Sequence, residues 1–424
     1  MIPRPVYLIS IFVLLLLPAF AAAVSFKFGN DTSGMAVYFK RETLWLSFGA
    51  LFVGAAFWQA RISRLAFPAL PRTDFLLLAA LVILSIALSQ FVSLSPKYAL
   101  NRLWVLLLVL LVGYASFLLS TVLKDKFSQS IYKVLIGGVL LHIPFIFLLI
   151  YLRQDAENFP WTLSIPGWRG LRPYNYFVEV GVAVGVGFLV INGGKSKRSG
   201  TILFVAVSIC WAMLIWGGGR GAIVGLLGAF AVASVAVPSS AIKLWKSAAI
   251  TFAWGAVLSL LIWTPNARSF GLFGMLIRSS ANDINAVSAG RFQMWVNGTE
   301  SIKEAPIFGY GLGQFIYLQA PRVPAAANSH LHIHNIVLEV VLSWGAVGAA
   351  LFTTLFIRTY INALNQVRRI AGGERLPAFL ALTALLGHGL FSGTYFHTHS
   401  LIYMAIFFGI CLAPNPAQNE NTNG

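Results

Sequence analysis

Residues 103–122 read LWVLLLVLLVGYASFLLSTV, twenty positions without a charged side chain. Wound as an α-helix at about 1.5 Å per residue, such a run is roughly 30 Å long, the thickness of a bilayer's hydrocarbon core. In lipid it must be helical, because no water is present to pair its backbone N–H and C=O groups. Comparable runs recur at 5–24, 44–60, 75–91, 134–152, 176–192, 201–216, 221–238, 248–264, 335–357, 377–394 and 399–413. The chain reads as an all-α polytopic membrane protein of about twelve transmembrane helices, a single integral membrane domain over 1–424.

Composition agrees. Of 424 residues, 58% are hydrophobic and 10% charged, with a mean hydropathy of +0.78, against about 45–50% and 25% in soluble domains. So few charges cannot keep a soluble surface wet. The same figures exclude disordered, collagen-like, coiled-coil and disulfide-scaffold chains. Cys210 and Cys411 both sit inside apolar runs, which points to neither a disulfide framework nor a thiolate metal site.

A net charge of +17 belongs here to membrane topology rather than to nucleic acid. One set of short loops holds Arg61, Arg64, Arg72, Lys124, Lys126, Lys133, Lys195, Lys197, Arg198, Lys243, Lys246, Arg358, Arg368, Arg369 and Arg375, with Arg4 at the start of the chain. Basic residues mark cytoplasmic loops, so twelve spans put both termini in the cytoplasm and leave 414–424 as a short disordered cytoplasmic tail. A second reading of 5–24, with Arg4 before it and an Ala-rich end at 20–23, is a cleaved signal peptide. The remaining basic residues fall on the other side, and among them Arg outnumbers Lys ten to four. Arg presents a planar fork that grips phosphate bidentately, so this face is expected to meet an anionic ligand. The alternative is Arg snorkelling to lipid headgroups.

Residues 265–334 form an unusually long connection between the ninth and tenth runs, far beyond the usual 2–8 residues between helices. Phe292, Met294, Trp295, Phe308 and Phe315 within it point to an ordered subdomain lying on the membrane. It ends at His330-Leu331-His332-Ile333-His334. Three readings of this cluster stand open: a metal site, a polar helix start at the interface, and a single histidine serving as general base. No carboxylate or Cys lies within the cluster itself to complete a metal set, although the fold could supply one, and no metal is assigned.

The residues that follow favour the base. His334-Asn335, nine residues (336–344), then Gly345-Ala346-Val347-Gly348 resembles the His-[Asn/Ser/Gln]-x9-Gly-x-x-[Gly/Thr/Tyr] pattern of O-antigen ligases. That membrane superfamily also holds O-antigen polymerases and protein O-oligosaccharyltransferases. Gly217-Gly218-Gly219-Arg220-Gly221-Ala222 is similar to its Ser-Arg-Gly-Ala turn, with Gly219 in the place of Ser. Flexible glycines, free N–H groups at a helix start and an Arg make an anion-binding arrangement. Ser288-Ala289-Gly290-Arg291-Phe292-Gln293-Met294-Trp295 resembles the Gly-Arg and aromatic helix that precede the family's histidine, and Trp168-Arg169-Gly170-Leu171-Arg172-Pro173-Tyr174-Asn175 resembles, loosely, its Arg- and Asn-containing helix start. Phe391-Ser392-Gly393-Thr394-Tyr395-Phe396-His397-Thr398-His399 lacks the acidic residue some members carry there. His397 and His399 are expected at the interface.

The resemblance implies a GT-C-like glycosyltransferase in the bacterial inner membrane with a periplasmic active site. It would move a glycan from undecaprenyl diphosphate to a hydroxyl of lipid A–core oligosaccharide, inverting and metal-independent, with no cofactor. His334 would be the catalytic base. Arg220, Arg291, Arg172 and Arg169 would bind the diphosphate, with Asn335, Lys97, Arg102 and His332 as further substrate contacts. The expected partners are the lipid-linked donor, the lipid acceptor and membrane lipids, and no nucleic acid. A polymerase or a protein O-oligosaccharyltransferase would use the same donor. Polymerases often carry Arg-x10-Gly patterns in two outer loops. The outward Arg residues are expected to lack Gly at that spacing, Arg291 for example being followed eleven positions on by Ile302, which favours a ligase. A flippase or transporter would place ionisable groups near the bilayer midplane, where this sequence offers only His142 and His388.

Overall fold

The computed structural model describes residues 34–63, 71–152, 161, 165, 168, 170–192, 196–265, 270–279, 288, 290–319, 332–370 and 373–414. The first expected span, Arg169, His330 and 415–424 lie outside them. The described residues are helical, apart from turns and one isolated bridge between Ile165 and Trp168. In chain order the helices are α1 (Gly34–Ile62), α2 (Arg72–Phe91), α3 (Pro96–Leu123), α4 (Asp125–Leu152), α5 (Leu171–Asn192), α6 (Lys197–Trp216) and α7 (Arg220–Ala236). There follow α8 (Pro238–Leu260), α9 (Gly271–Ser279), α10 (Arg291–Glu304), α11 (Phe315–Gln319), α12 (Ile336–Arg369), α13 (Leu376–Gly389) and α14 (Thr398–Leu412).

Among the described residues, seven helices are long and apolar enough to cross a membrane: α1 from Glu42, α2, α3, α4, α5, α6 and α12; α7 and α14 are shorter apolar helices. The protein is thus a polytopic membrane protein. Seven of the expected runs overlap the seven long helices and two, 221–238 and 399–413, overlap α7 and α14, whereas 248–264 and 377–394 overlap α8 and α13, which are not among them; the edges also differ. α3 opens at Pro96 and α4 at Asp125, so Lys97 and Arg102 lie within α3, and Lys126 and Lys133 are helical rather than loop residues. α12 runs 34 residues and takes in Arg358, Arg368 and Arg369. Hydropathy marks where lipid ends, not where a helix stops; stop signals do that. Val237, non-helical at φ −133° and ψ 73°, separates α7 from α8 because a residue preceding proline is driven from the helical region. α13, expected to reach residue 394, ends at Gly389.

α5 is the central helix. Nearly all its residues from Leu171 to Phe188 are buried, and α4, α6, α7, α8 and α13 pack around it. α3 packs on α1 and α14, and α12 on α2 and α14. Small residues set the closest crossings, as is usual where lipid gives no hydrophobic drive. Gly225 of α7 faces Gly387 of α13, and Gly409 of α14 faces the Gly113 carbonyl of α3.

Three helices, α9, α10 and α11, lie within the long connection 265–334. Met294 and Phe315 are buried against Ile333 and Leu342, while Phe292 and Phe308 are exposed. The connection is stitched to α12 at Gly345 (φ +60°, ψ −167°), where α12 breaks and resumes. There the amides of Tyr310 and Gly311 donate to the carbonyls of Leu342 and Ser343 at 2.9 and 2.8 Å, and the amides of Ala346 and Val347 donate to Pro306 and Ile307 at 2.8 and 3.1 Å. Only glycine occupies that backbone conformation readily, and a Cβ would fall on the Ile307 carbonyl. Ser93 and Ser95, in the α2–α3 turn, tie the same segment down through the Tyr310 carbonyl and the Gln314 side chain, each at 2.9 Å.

Candidate active site

The N-terminal ends of α3, α5, α7, α12 and α14 and the C-terminal end of α13 meet around the 390–397 turn. Helix N-termini carry unpaired N–H groups and partial positive charge, so their convergence makes a place for an anion.

α5 presents one polar face. Arg172, Tyr176 and Glu179 follow the i, i+4, i+7 spacing of a helical stripe. At its top the Arg172 guanidinium lies 3.2 Å from Nε2 of His334. Arginine has donors only, so this ring nitrogen is the acceptor, and the imidazole is neutral with its proton on Nδ1. His334 is buried and has φ +57°, one of two described non-glycine residues in the left-handed region. That turn swings the chain from the 332–335 segment into α12. Asn335 caps the helix, its side-chain oxygen accepting from Val337 and Leu338 amides at 2.9 and 3.1 Å.

His332 is buried with its ring centroid 3.9 Å from that of His334, and it stacks on Phe396 at 4.5 Å. Gly393 lies against the His332 ring and donates its amide to the Tyr176 hydroxyl at 3.1 Å, which also meets Ser392 Oγ at 2.6 Å. Arg291 opens α10 after Gly290, and its charge, like that of Arg172, acts on Tyr176. Arg220, half-buried, opens α7. Behind it, Asn175 donates to the Gly217 carbonyl at 3.1 Å. Arg172, His332 and His334 thus lie together, with Tyr176 one turn below Arg172 on the same face of α5.

Other expected contacts have different surroundings. Arg102 is buried, donates to the Phe396 carbonyl at 2.8 Å, sits 4.5 Å above that ring and lies 3.8 Å from Glu42. Its geometry braces the 390–397 turn. Lys97 is exposed. His397 and His399, expected at the interface, are buried in a ring cluster with Tyr176. Burial follows because the chain after α13 folds inward instead of crossing straight into α14.

Two buried carboxylates, Glu339 and Glu179, were not picked out by sequence reasoning. Glu339, one turn into α12, is buried and accepts from Tyr395 at 3.3 Å. Burial pushes the Tyr395 phenol well above its usual range, with the neighbouring Glu339 charge adding to it. Glu179 is fully buried and lies 2.6 Å from Nδ1 of His388. The α5 stripe counted from Arg172 would have found Tyr176 and Glu179. His142 packs among Trp168, Tyr174 and Phe177. Among the described residues no three His, Cys, Asp or Glu side chains are arranged to hold a metal.

Residues 195–353 match the family model described as O-antigen ligase. The match takes in Arg220, Arg291, His334 and the Gly345 break, and stops short of Arg172, Glu179 and His388 on either side. No curated protein matches the chain. The chain thus carries, over residues 195–353, a region similar to the O-antigen ligase family.

Proposed function

We propose that the protein is an O-antigen ligase. It transfers a glycan from undecaprenyl diphosphate to a hydroxyl of lipid A–core oligosaccharide. In this reading twelve spans cross the bacterial inner membrane, both termini are cytoplasmic, and the converging helix ends face the periplasm.

The observation that carries the reading is the contact between Arg172 and the lone pair of His334. A base must be unprotonated before it works, and a guanidinium on Nε2 keeps it so. A diphosphate oxygen is a far stronger acceptor than an imidazole. Donor binding draws Arg172 off the ring and onto phosphate, alongside Arg291, Arg220 and Arg169. The freed Nε2 then takes the proton of the acceptor hydroxyl as that oxygen attacks the anomeric carbon. The bond from that carbon to the phosphate oxygen breaks, and its electron pair stays on the diphosphate. Fixed positive charge stabilises it there, more strongly in a partly dehydrated site than in water. Attack from the face opposite the leaving group inverts the anomeric centre. Since arginine stays protonated, this charge stabilisation needs no metal.

A polymerase would use the same donor. The spacing Arg-x10-Gly does occur here, at Arg102 and Gly113, which corrects the expectation that no outward Arg has Gly eleven positions later. Both residues lie within α3, and Arg102 is engaged by Phe396 and Glu42, so the spacing gives no loop motif.

The test is reconstitution of purified protein with a polyprenyl diphosphate glycan and rough lipopolysaccharide. Glycan on lipopolysaccharide identifies a ligase, lengthened lipid-linked glycan a polymerase, and no transfer overturns both. His334→Asn is the informative variant, because Asn tolerates a positive φ; it should fold, bind donor and transfer nothing.

A further inference from the structure

His332 touches the base and has no part in the scheme above. Between the two histidines, Ile333 is fully buried with Met294, Phe315 and Leu342, which fixes the backbone of the segment. The imidazoles of His332 and His334 meet each other, ring centroids 3.9 Å apart. A row of groups backs them. His332 stacks on Phe396 at 4.5 Å and 27°, and the Gly393 backbone closes its flank, where a Cβ would fall on the ring. Phe396 carries the Arg102 guanidinium 4.5 Å above its own ring and accepts from it through its carbonyl at 2.8 Å. Arg102 lies 3.8 Å from Glu42, which accepts from the Thr398 hydroxyl at 3.0 Å. Ring faces and a cation over a ring both favour one fixed geometry. His334 is thus held between His332 on one side and Arg172, at 3.2 Å, on the other. In the transfer scheme Arg172 moves to phosphate before the acceptor attacks. Something else must then keep the imidazole aimed, because a base that swings presents Nε2 for only part of the time.

We propose that His332 is a positioning residue for the base: backed by Phe396 and Arg102, its ring holds the His334 imidazole in place once Arg172 has left it. The proposal rests on the reading of His334 as base. It gives His332 and Arg102 a different task from the substrate contacts expected of them. His332 acts on the glycan only through His334, and Arg102 acts through Phe396. No proton passes to or from His332 during transfer.

Two measurements on the full chain in nanodiscs test this, one with turnover and one without. Phe396→Leu keeps apolar bulk and removes the ring face; it should lower kcat about tenfold and move the KM for the donor lipid by less than about twofold. His332→Ala should do the same. His332→Phe, which keeps a flat ring and loses both nitrogens, should recover most of the rate. Without turnover, NMR of histidine-labelled protein reads the motion of the His334 ring, its signal assigned by its loss in His334→Asn. In Arg172→Met, where no guanidinium holds the ring, it should remain rigid, and adding Phe396→Leu should make it mobile. A ring equally rigid in that double variant overturns the proposal. So does a folded His332→Phe as slow as His332→Ala, which would make a His332 nitrogen a substrate contact. A wild type that transfers no glycan overturns the transferase reading instead, and a ring that loosens as expected in the same protein still supports the hold of His332 on His334.

Discussion

The guanidinium of Arg172 sits 3.2 Å from Nε2 of His334, across 162 residues of chain. A permanent cation beside an imidazole would ordinarily work against its later protonation. The pairing makes chemical sense if the cation leaves when the donor arrives, and that gives the first prediction.

Arg172→Lys should transfer poorly. Lysine keeps the charge but lacks the planar fork that bridges a ring nitrogen or two phosphate oxygens. Expected is a fall in kcat/KM of ~10-fold or more, equivalent to about 1.4 kcal/mol, with the fold intact by thermal melting. Wild-type rates in the variant would remove Arg172 from the site.

Asn335 separates capping from substrate contact. Asn335→Ala should lower stability by about 1 kcal/mol through loss of the α12 cap, while Asn335→Asp should restore it. Thermal melting reads both. A variant with unchanged melting and lost transfer would assign the side chain to substrate instead.

Gly345→Ala should be much more damaging than a small side chain usually is. The new methyl meets the Ile307 backbone, which is itself hydrogen-bonded to α12, and the residue must hold a conformation that only glycine adopts easily. A loss of roughly 2–4 kcal/mol is expected, read as a lowered unfolding temperature. Gly228, with open space about its Cα, is the matched control.

Tyr395 gives a pH dependence. Its phenol is raised in the folded state, so its contribution to stability is fully present below the unfolded value of about 10 and is lost as pH rises toward the folded one. Tyr395→Phe should therefore flatten the alkaline unfolding curve relative to wild type and leave its neutral and acidic arms parallel.

Chelator should leave transfer unchanged, because fixed guanidinium groups supply the charge. Activity that vanishes with chelator and returns with one divalent ion would reopen the histidine cluster as a metal site.

Much of this architecture was legible in the residues. Unbroken apolar stretches such as 103–122 locate helices because lipid permits little else. The same stretches misjudged helix ends, since Pro96 and Asp125 begin helices well before hydropathy rises. Motif-bearing groups such as Arg291 and His334 were found because their neighbours in sequence resemble a pattern. Glu179 and Glu339 were passed over because a lone carboxylate in an apolar run has no local signature. Its partners, His388 and Tyr395, stand 209 and 56 residues away, and only folding brings them together.

The four backbone bonds exchanged at Gly345 join the segment after α10 to the helix that begins beside His334. Arg291, at the head of α10, and His334, at the head of α12, therefore ride on a single rigid jaw. Arg172, Arg220 and His388 belong to the opposing helices. The backbone bonds at Gly345 therefore set the position of the α10 segment relative to α12, and a substitution that disturbs that junction disturbs Arg291 and His334 together.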